Sequence, residues 1–243
     1  GIGEKTLSTL WCGTTFIDYD NDGDKDLFVA NGHVCDNIDQ IYPEKTYPQS
    51  NQLFENLGNE VFREVAIFLG NDPHQKASSR GAAFGDYDND GAIDLYVTNF
   101  GGDVFYRNNG DGTFSDITED VGIDNPDMGM SAAFFDSDND GWLDLYVTNY
   151  VDYSIEDNPE CTSPMQYPMG GELLARSYCD PDVFLGVADK FYYNKQGVFI
   201  DRSNRSGIGR YSLRGMGVIT GDMDNDGDMD VYVANDKDMN LLF

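Results

Sequence analysis

The chain is 243 residues long and carries 44 Asp and Glu against 15 Lys and Arg, a formal net charge of −29. A surface this acidic excludes sequence-independent nucleic-acid binding and docking onto an anionic leaflet, both of which need a basic face. Yet 40% of the residues are hydrophobic and 13% aromatic, so the chain has a core to bury and is no disordered acidic tail. No apolar run approaches the roughly 18 residues of a membrane span. The opening Gly1-Ile2-Gly3-Glu4 lacks a basic stretch followed by an apolar one, so a signal peptide is expected to be absent or already removed.

One pattern recurs four times along the chain: DYDNDGDKDLFVAN from Asp18, DYDNDGAIDLYVTN from Asp86, DSDNDGWLDLYVTN from Asp136 and DMDNDGDMDVYVAN from Asp222. A second pattern follows three of the copies: NQLFENLGNEVF from Asn51, DVFYRNNGDGTF from Asp103 and DKFYYNKQGVF from Asp189. Unequal spacing between copies is what a repeated unit with loop insertions produces. The first unit covers about 9–70, the second about 78–123, the third about 130–208 and the fourth about 214–243. In the second, four short apolar segments lie at 81–86, 94–99, 104–108 and 113–118, punctuated by Gly, Asn and Asp. Their β-branched and aromatic content predicts strands, and none is long enough for an amphipathic helix.

Runs such as Leu95-Tyr96-Val97 are apolar on consecutive residues. A sheet with one wet face would alternate, so these sheets are expected to be covered on both faces. The predicted fold is all-β, a β-propeller of four-stranded antiparallel blades with three whole blades and a partial one. The sequence stops at Asn240-Leu241-Leu242-Phe243, where the third strand of the fourth unit should begin, and it starts on what reads as the tail of another unit. A segment of a longer chain is therefore expected. Self-association that completes the split blade by strand addition is a second expectation, which size-exclusion chromatography would test.

The repeated loop reads D-x-D-x-D-G-x-x-D, and a tight turn aims alternate side chains at one centre. Calcium takes six to eight hard oxygens in such loops. The candidate ligands are Asp18, Asp20, Asp22, Asp24 and Asp26 in the first loop, and Asp86, Asp88, Asp90, Ala92 and Asp94 in the second. In the third they are Asp136, Asp138, Asp140, Trp142 and Asp144, and in the fourth Asp222, Asp224, Asp226, Asp228 and Asp230. Position seven varies (Asp24, Ala92, Trp142, Asp228), which fits a backbone carbonyl ligand. Position nine opens a strand and is expected to bind with both oxygens. The glycine at position six supplies the sharp turn, with positive φ expected. An EF-hand needs Glu at position twelve, where Val29, Val97, Val147 and Val233 stand, so that reading fails. Asp-Asn-Gly turns without a metal are the plain alternative, but four filled copies favour about four Ca2+ ions, one per loop, over magnesium.

These residues resemble the FG-GAP/VCBS repeats of integrin-α-like β-propellers, closest to the cartilage-acidic-protein-like group. The motifs DxDNDGxxDLYVxN, NxxGxxF and ANGHV at 30–34 carry the resemblance over nearly the whole chain, apart from 150–189. It implies a propeller with calcium in the loop joining the first two strands of each blade, in an extracellular setting. Family members include adhesion receptors and carbohydrate-active enzymes, so it fixes no single function.

In an up-and-down blade the calcium loops all fall on one face. The insertions at about 32–50 and 150–189 follow second strands and so project from the opposite face. That face is the expected site for a protein or glycan ligand, with padding as the plain alternative. Tyr150, Tyr153, Tyr167 and Tyr178 in the long insertion suit such contacts or simply pack it down. Of the four cysteines, no two form C-x-x-C, and two disulfides in an oxidising compartment fit better than four thiols. The count allows three pairings. The strand layout predicts Cys12–Cys35 and Cys161–Cys179, since each pair then lies on the insertion face.

No catalytic motif is present, and His33 and His74 read as structural or exposed. The sequence thus reads as a non-enzymatic, secreted or cell-surface calcium-binding module for adhesion, assembly or display. The alternative is a calcium-dependent polysaccharide lyase or hydrolase, or a glycan-binding propeller.

Overall fold

A computed structural model describes residues 13–31, 51–65, 78–154, 159–166, 172–176 and 179–243. The first blade is built from β1 (Thr14–Ile17), β2 (Asp26–Val29), β3 (Gln52–Asn56) and β4 (Phe62–Val65). The second comprises β5 (Ser78–Gly85), β6 (Asp94–Phe100), β7 (Val104–Asn108) and β8 (Phe114–Asp116). Both are four-stranded antiparallel sheets with strands in chain order. Strand β8 ends where Asp116 Oδ1 accepts the backbone N–H of Thr118 at 3.0 Å and its hydroxyl at 2.6 Å, a turn that competes with the ladder.

The third blade begins with β9 (Gly129–Phe135) and β10 (Asp144–Asn149). The chain then leaves the sheet and forms a separate hairpin, β11 (Thr162–Gln166) with β12 (Glu172–Arg176). It passes β13 (Val187–Ala188) and returns to complete the blade with β14 (Lys190–Asn194) and β15 (Phe199–Asp201). A short helix, α1 (Ser203–Ser206), leads to β16 (Ser212–Leu213), which pairs with β13. The fourth sheet is three-stranded, from β17 (Gly215–Gly221), β18 (Asp230–Asn235) and β19 (Leu241–Leu242).

The 150–189 insertion leaves from the end of β10, opposite the end where the Asp loops lie, as the topology required. It is closed by the Cys161–Cys179 disulfide. Cys12, Cys35 and the 32–50 insertion lie outside the described residues.

Side-chain alternation explains the consecutive apolar runs. Leu95 and Val97 pack towards the first blade, in a cluster with Ile17, Phe28 and Leu53. Tyr96, between them, faces the third blade with Phe105, Leu145 and Val147. The step repeats one blade on, where Tyr146 joins Phe191, Val231 and Val233. All three residues of Leu95-Tyr96-Val97 are at most 1% exposed. Each inner sheet is therefore covered on both faces, at about 1.5–3 kcal/mol per large side chain buried.

Candidate metal centres

Each Asp loop is a tight turn between the first two strands of its blade. The position-six glycines Gly23, Gly91, Gly141 and Gly227 have φ between 88° and 98°, the left-handed region that a Cβ would strain. The asparagine at position four is also left-handed, with φ of 60°, 58°, 58° and 63° at Asn21, Asn89, Asn139 and Asn225. Asparagine tolerates that conformation better than other side chains.

The first carboxylate of each loop anchors the turn. Its Oδ2 accepts the glycine N–H, at 3.1 Å from Gly23 to Asp18, 2.9 Å from Gly91 to Asp86, 2.8 Å from Gly141 to Asp136 and 3.0 Å from Gly227 to Asp222. The position-five carboxylate accepts the position-seven N–H, as from Ala92 to Asp90 at 2.9 Å and from Trp142 to Asp140 at 2.9 Å. These bonds fold the acids towards a common point. Asp18, Asp20 and Asp22 offer oxygens within 4.8 Å of one another, as do Asp86, Asp88 and Asp90, and Asp136, Asp138 and Asp140. In the fourth loop the close set is Asp222, Asp224 and Asp230.

The position-nine carboxylates are held by the fold. In the first three blades both oxygens accept backbone N–H groups. Asp26 accepts Tyr19 at 3.2 Å and Asn56 at 2.8 Å; Asp94 accepts Tyr87 at 3.2 Å and Asn108 at 2.9 Å; Asp144 accepts Ser137 at 3.2 Å and Asn194 at 2.7 Å. They brace the loop against the third strand. Burial pushes Asp94 up to about 7 and raises Asp144 and Asp26 as well. Burial also raises Asp20 and Asp88, and the neighbouring Asp226 raises Asp224.

One oxygen tests whether a cation fits. In loops two to four, Oδ1 of the first aspartate accepts the position-five N–H, at 3.0, 3.1 and 3.1 Å. In loop one that bond is missing, and Asp18 Oδ1 is buried without any hydrogen-bond partner. A buried carboxylate oxygen left bare is costly. A hard cation held by Asp18, Asp20 and Asp22 would satisfy it, and the all-oxygen donor set suits calcium.

The loops are also tied to one another. Asn21 donates to the carbonyl of Gly91 at 3.0 Å, Asn89 to that of Gly141 at 3.1 Å, and Asn139 to that of Gly227 at 3.4 Å. In the first three loops the position-four asparagine thus reaches the turn glycine of the next blade. The asparagine of the second motif ties blades in the other direction: Asn108 donates to Tyr19 O and Asn194 to Tyr87 O, both at 2.8 Å. Sequence reasoning assigned no role to the position-four asparagine, though its presence in all four copies was the available signal.

The insertion face is built differently. Tyr96 donates to Asp103 Oδ2 at 2.7 Å, Asn125 donates to the same oxygen at 2.6 Å, and Asn125 also reaches Asn149 Oδ1 at 3.0 Å. Asn149 N–H reaches Asp189 at 2.9 Å, which also accepts from Tyr146 at 2.9 Å. This buried chain joins blades two and three. Burial pushes Asp103 up to about 7 and Asp189 up to about 6.

Above it lies a cleft of about 470 Å³ lined by Gly101, Asp116, Glu119, Asp120 and Asp124, next to one of about 230 Å³ lined by Phe100, Asp127, Asp152 and Tyr153. Tyr153 packs between Phe100 and Phe184, with ring centroids 5.5 and 5.6 Å away. Tyr150 donates to Asp236 at 2.7 Å. These two tyrosines therefore pack the insertion down; Tyr167 and Tyr178 lie outside the described residues. Arg214 clamps the insertion to blade four, donating to Pro181 O and Phe184 O at 3.1 Å and to both Asp238 oxygens at 3.0–3.1 Å.

Antiparallel blades packed face to face, each opening on an acidic hairpin loop, define a β-propeller repeat protein. The FG-GAP-like repeat matches residues 18–97 and 86–147, more than half of the chain, and the chain belongs to that family. The match is to the repeat and does not extend to the narrower cartilage-acidic-protein-like group. No curated protein matches. Among solved structures, the chain is similar to an Agrocybe aegerita lectin described for specific recognition of non-reducing terminal N-acetylglucosamine. The identity is 16% over 93% of this chain and 61% of the lectin chain, with a TM-score of 0.37. The chain thus spans less than two thirds of that lectin's length. Among the described residues no helix is long and apolar enough to cross a membrane.

Proposed function

We propose that this chain is a non-enzymatic, extracellular calcium-binding propeller module for adhesion, assembly or display. The observation that carries the reading is the fourfold repetition of close carboxylate sets, with Asp18 Oδ1 buried and bare in one of them. Calcium, when bound, supplies the positive charge that lets these acids stand together. The carboxylates at positions one, three and five would hold it, with the position-seven carbonyl. In the fourth loop Asp230 takes the place of Asp226 in the close set. The calcium role is structural, because all its ligands come from one hairpin. The disulfide of the insertion suits an oxidising compartment.

The ligand, a protein or a glycan, is assigned to the insertion face, where the two clefts and Tyr153 lie.

Thermal melting with calcium and with a chelator tests the metal reading, and a melting temperature indifferent to both would contradict it. A glycan array and a pull-down test the ligand. The cleft acids Asp116, Glu119, Asp120 and Asp124 favour a second reading, glycan binding or cleavage at that place. Product formation from a polysaccharide, lost on replacing these acids, would establish it over the first.

A further inference from the structure

The first three loops differ in one neighbour, and the difference is electrostatic. The residue before the asparagine of the second motif sits on the third strand beside its own loop. It is Glu55 in blade one, Arg107 in blade two and Tyr193 in blade three. The three are equivalent by register, since Leu27 pairs with Phe54, Leu95 with Tyr106 and Leu145 with Tyr192.

Arg107 Nη2 lies 3.0 Å from Asp90 Oδ2 and 3.3 Å from Asp88 Oδ2. A single guanidinium nitrogen therefore bridges the acids at positions three and five, two of the oxygens a cation needs. Tyr193 instead places a neutral hydroxyl 3.3 Å from Asp140 Oδ2. Arg202 lies over the Tyr193 ring, 3.4 Å from its centroid, and among the described residues no ion pair links a cation to the third loop. Glu55 adds an acid beside the first loop and is itself paired with Arg63. Loops one and four also carry a further acid at position seven, Asp24 and Asp228, where loop two has Ala92.

We propose that Arg107 is a built-in counter-ion of the second loop, which makes that loop the weakest of the cation sites and holds it closed when no metal is bound. The inference rests on the calcium reading above. Calcium entering this loop must displace the guanidinium or share Asp88 and Asp90 with it. Arg107 is 45% exposed, so it can swing into water, and the handicap is moderate rather than prohibitive. Loops one and three, the two others with a third-strand neighbour, rank above it, the first ahead of the third. Blade two would then keep its loop shape under calcium levels that strip the others, and through the Asn21 and Asn89 contacts it would steady the loops on either side.

The test is a calcium titration of the intact chain followed by NMR, reading the amide signals of Gly23, Gly91, Gly141 and Gly227. Each amide N–H is hydrogen-bonded to the first carboxylate of its own loop and so reports that loop most directly. In the wild type Gly91 should shift last. In Arg107→Gln its midpoint should fall about three- to tenfold, the size of two exposed ion pairs, while the other three move little. Arg107→Lys keeps the charge and should stay near the wild type. Equal midpoints in wild type and Arg107→Gln would overturn the inference and leave the calcium reading intact. Glycine signals that do not respond to calcium in either protein would overturn both.

Discussion

The loop face and the insertion face solve the same problem, holding carboxylates, in opposite ways. On the loop face the acids are gathered at the surface around a point that a cation can enter, and backbone N–H groups set their positions. On the insertion face Asp103 and Asp189 are buried and satisfied entirely by protein groups: Tyr96, Asn99 and Asn125 for one, Tyr146 and Asn149 for the other. Burial lifts both pKa values towards neutrality. The first arrangement leaves clustered charge at the surface. The second depends on pH and on internal hydrogen bonds. One chain thus carries a rim of clustered surface carboxylates and a seam of buried carboxyls pushed towards neutrality.

The sharpest break between the two comes from Asp103→Ala. It leaves the Tyr96 hydroxyl, the Asn99 N–H and Asn125 without their acceptor in a site 5% exposed. A cost of about 2–5 kcal/mol is expected in urea unfolding at saturating calcium. Asp103→Asn should cost far less, because blade four already uses the neutral version. There Asn240 accepts the Asn235 N–H at 2.9 Å and donates to Tyr232 at 2.7 Å. Equal losses for the two variants would count against the network.

Arg214→Ala comes next. Its side chain is 14% exposed and binds two carbonyls and Asp238. Loss of about 1–3 kcal/mol is expected, with faster proteolysis within 159–185. Cutting at the wild-type rate would mean the clamp is not what holds the insertion. On the loop face, Asn89→Ala removes the contact to Gly141 and puts alanine in a left-handed turn. About 1 kcal/mol is expected, read by melting with calcium present, and an unchanged midpoint would show the loops to be independent.

The last test is the pH slope of the seam. Asp103 and Asp189 titrate near 7 and 6 in the fold, above the ordinary value of 3.8. The folded state therefore binds protons more tightly than the unfolded state. The stabilisation is complete below about pH 4 and is lost as pH rises through 6 and 7. With calcium saturating, stability should fall from pH 5.5 to pH 8, and Asp103→Asn should flatten the slope. A slope unaffected by that substitution would assign the pH response elsewhere.

Much of this was legible in the sequence wherever the unit repeats. The loop acids, the turn glycines and the doubly covered strands follow from period, spacing and residue type. What repeats without an obvious chemical role was harder to read. The position-four asparagine is a small amide in a turn, and only its reach to the next blade gives it meaning. The position-nine aspartate reads as a ligand, yet in three blades its two oxygens accept N–H groups from the loop and from the third strand, a distance the local sequence does not encode. The insertion was least legible. Its hairpin and the β13–β16 pairing occur once, so no second copy could expose their pattern, although the Cys161–Cys179 bridge followed from topology alone.

The most direct test of the central claim is native mass spectrometry of the intact chain with calcium and after chelation. Four bound calcium ions per chain, released by the chelator, are expected. A mass with no bound calcium at millimolar concentrations of the ion would contradict the account and reduce the four Asp loops to turns.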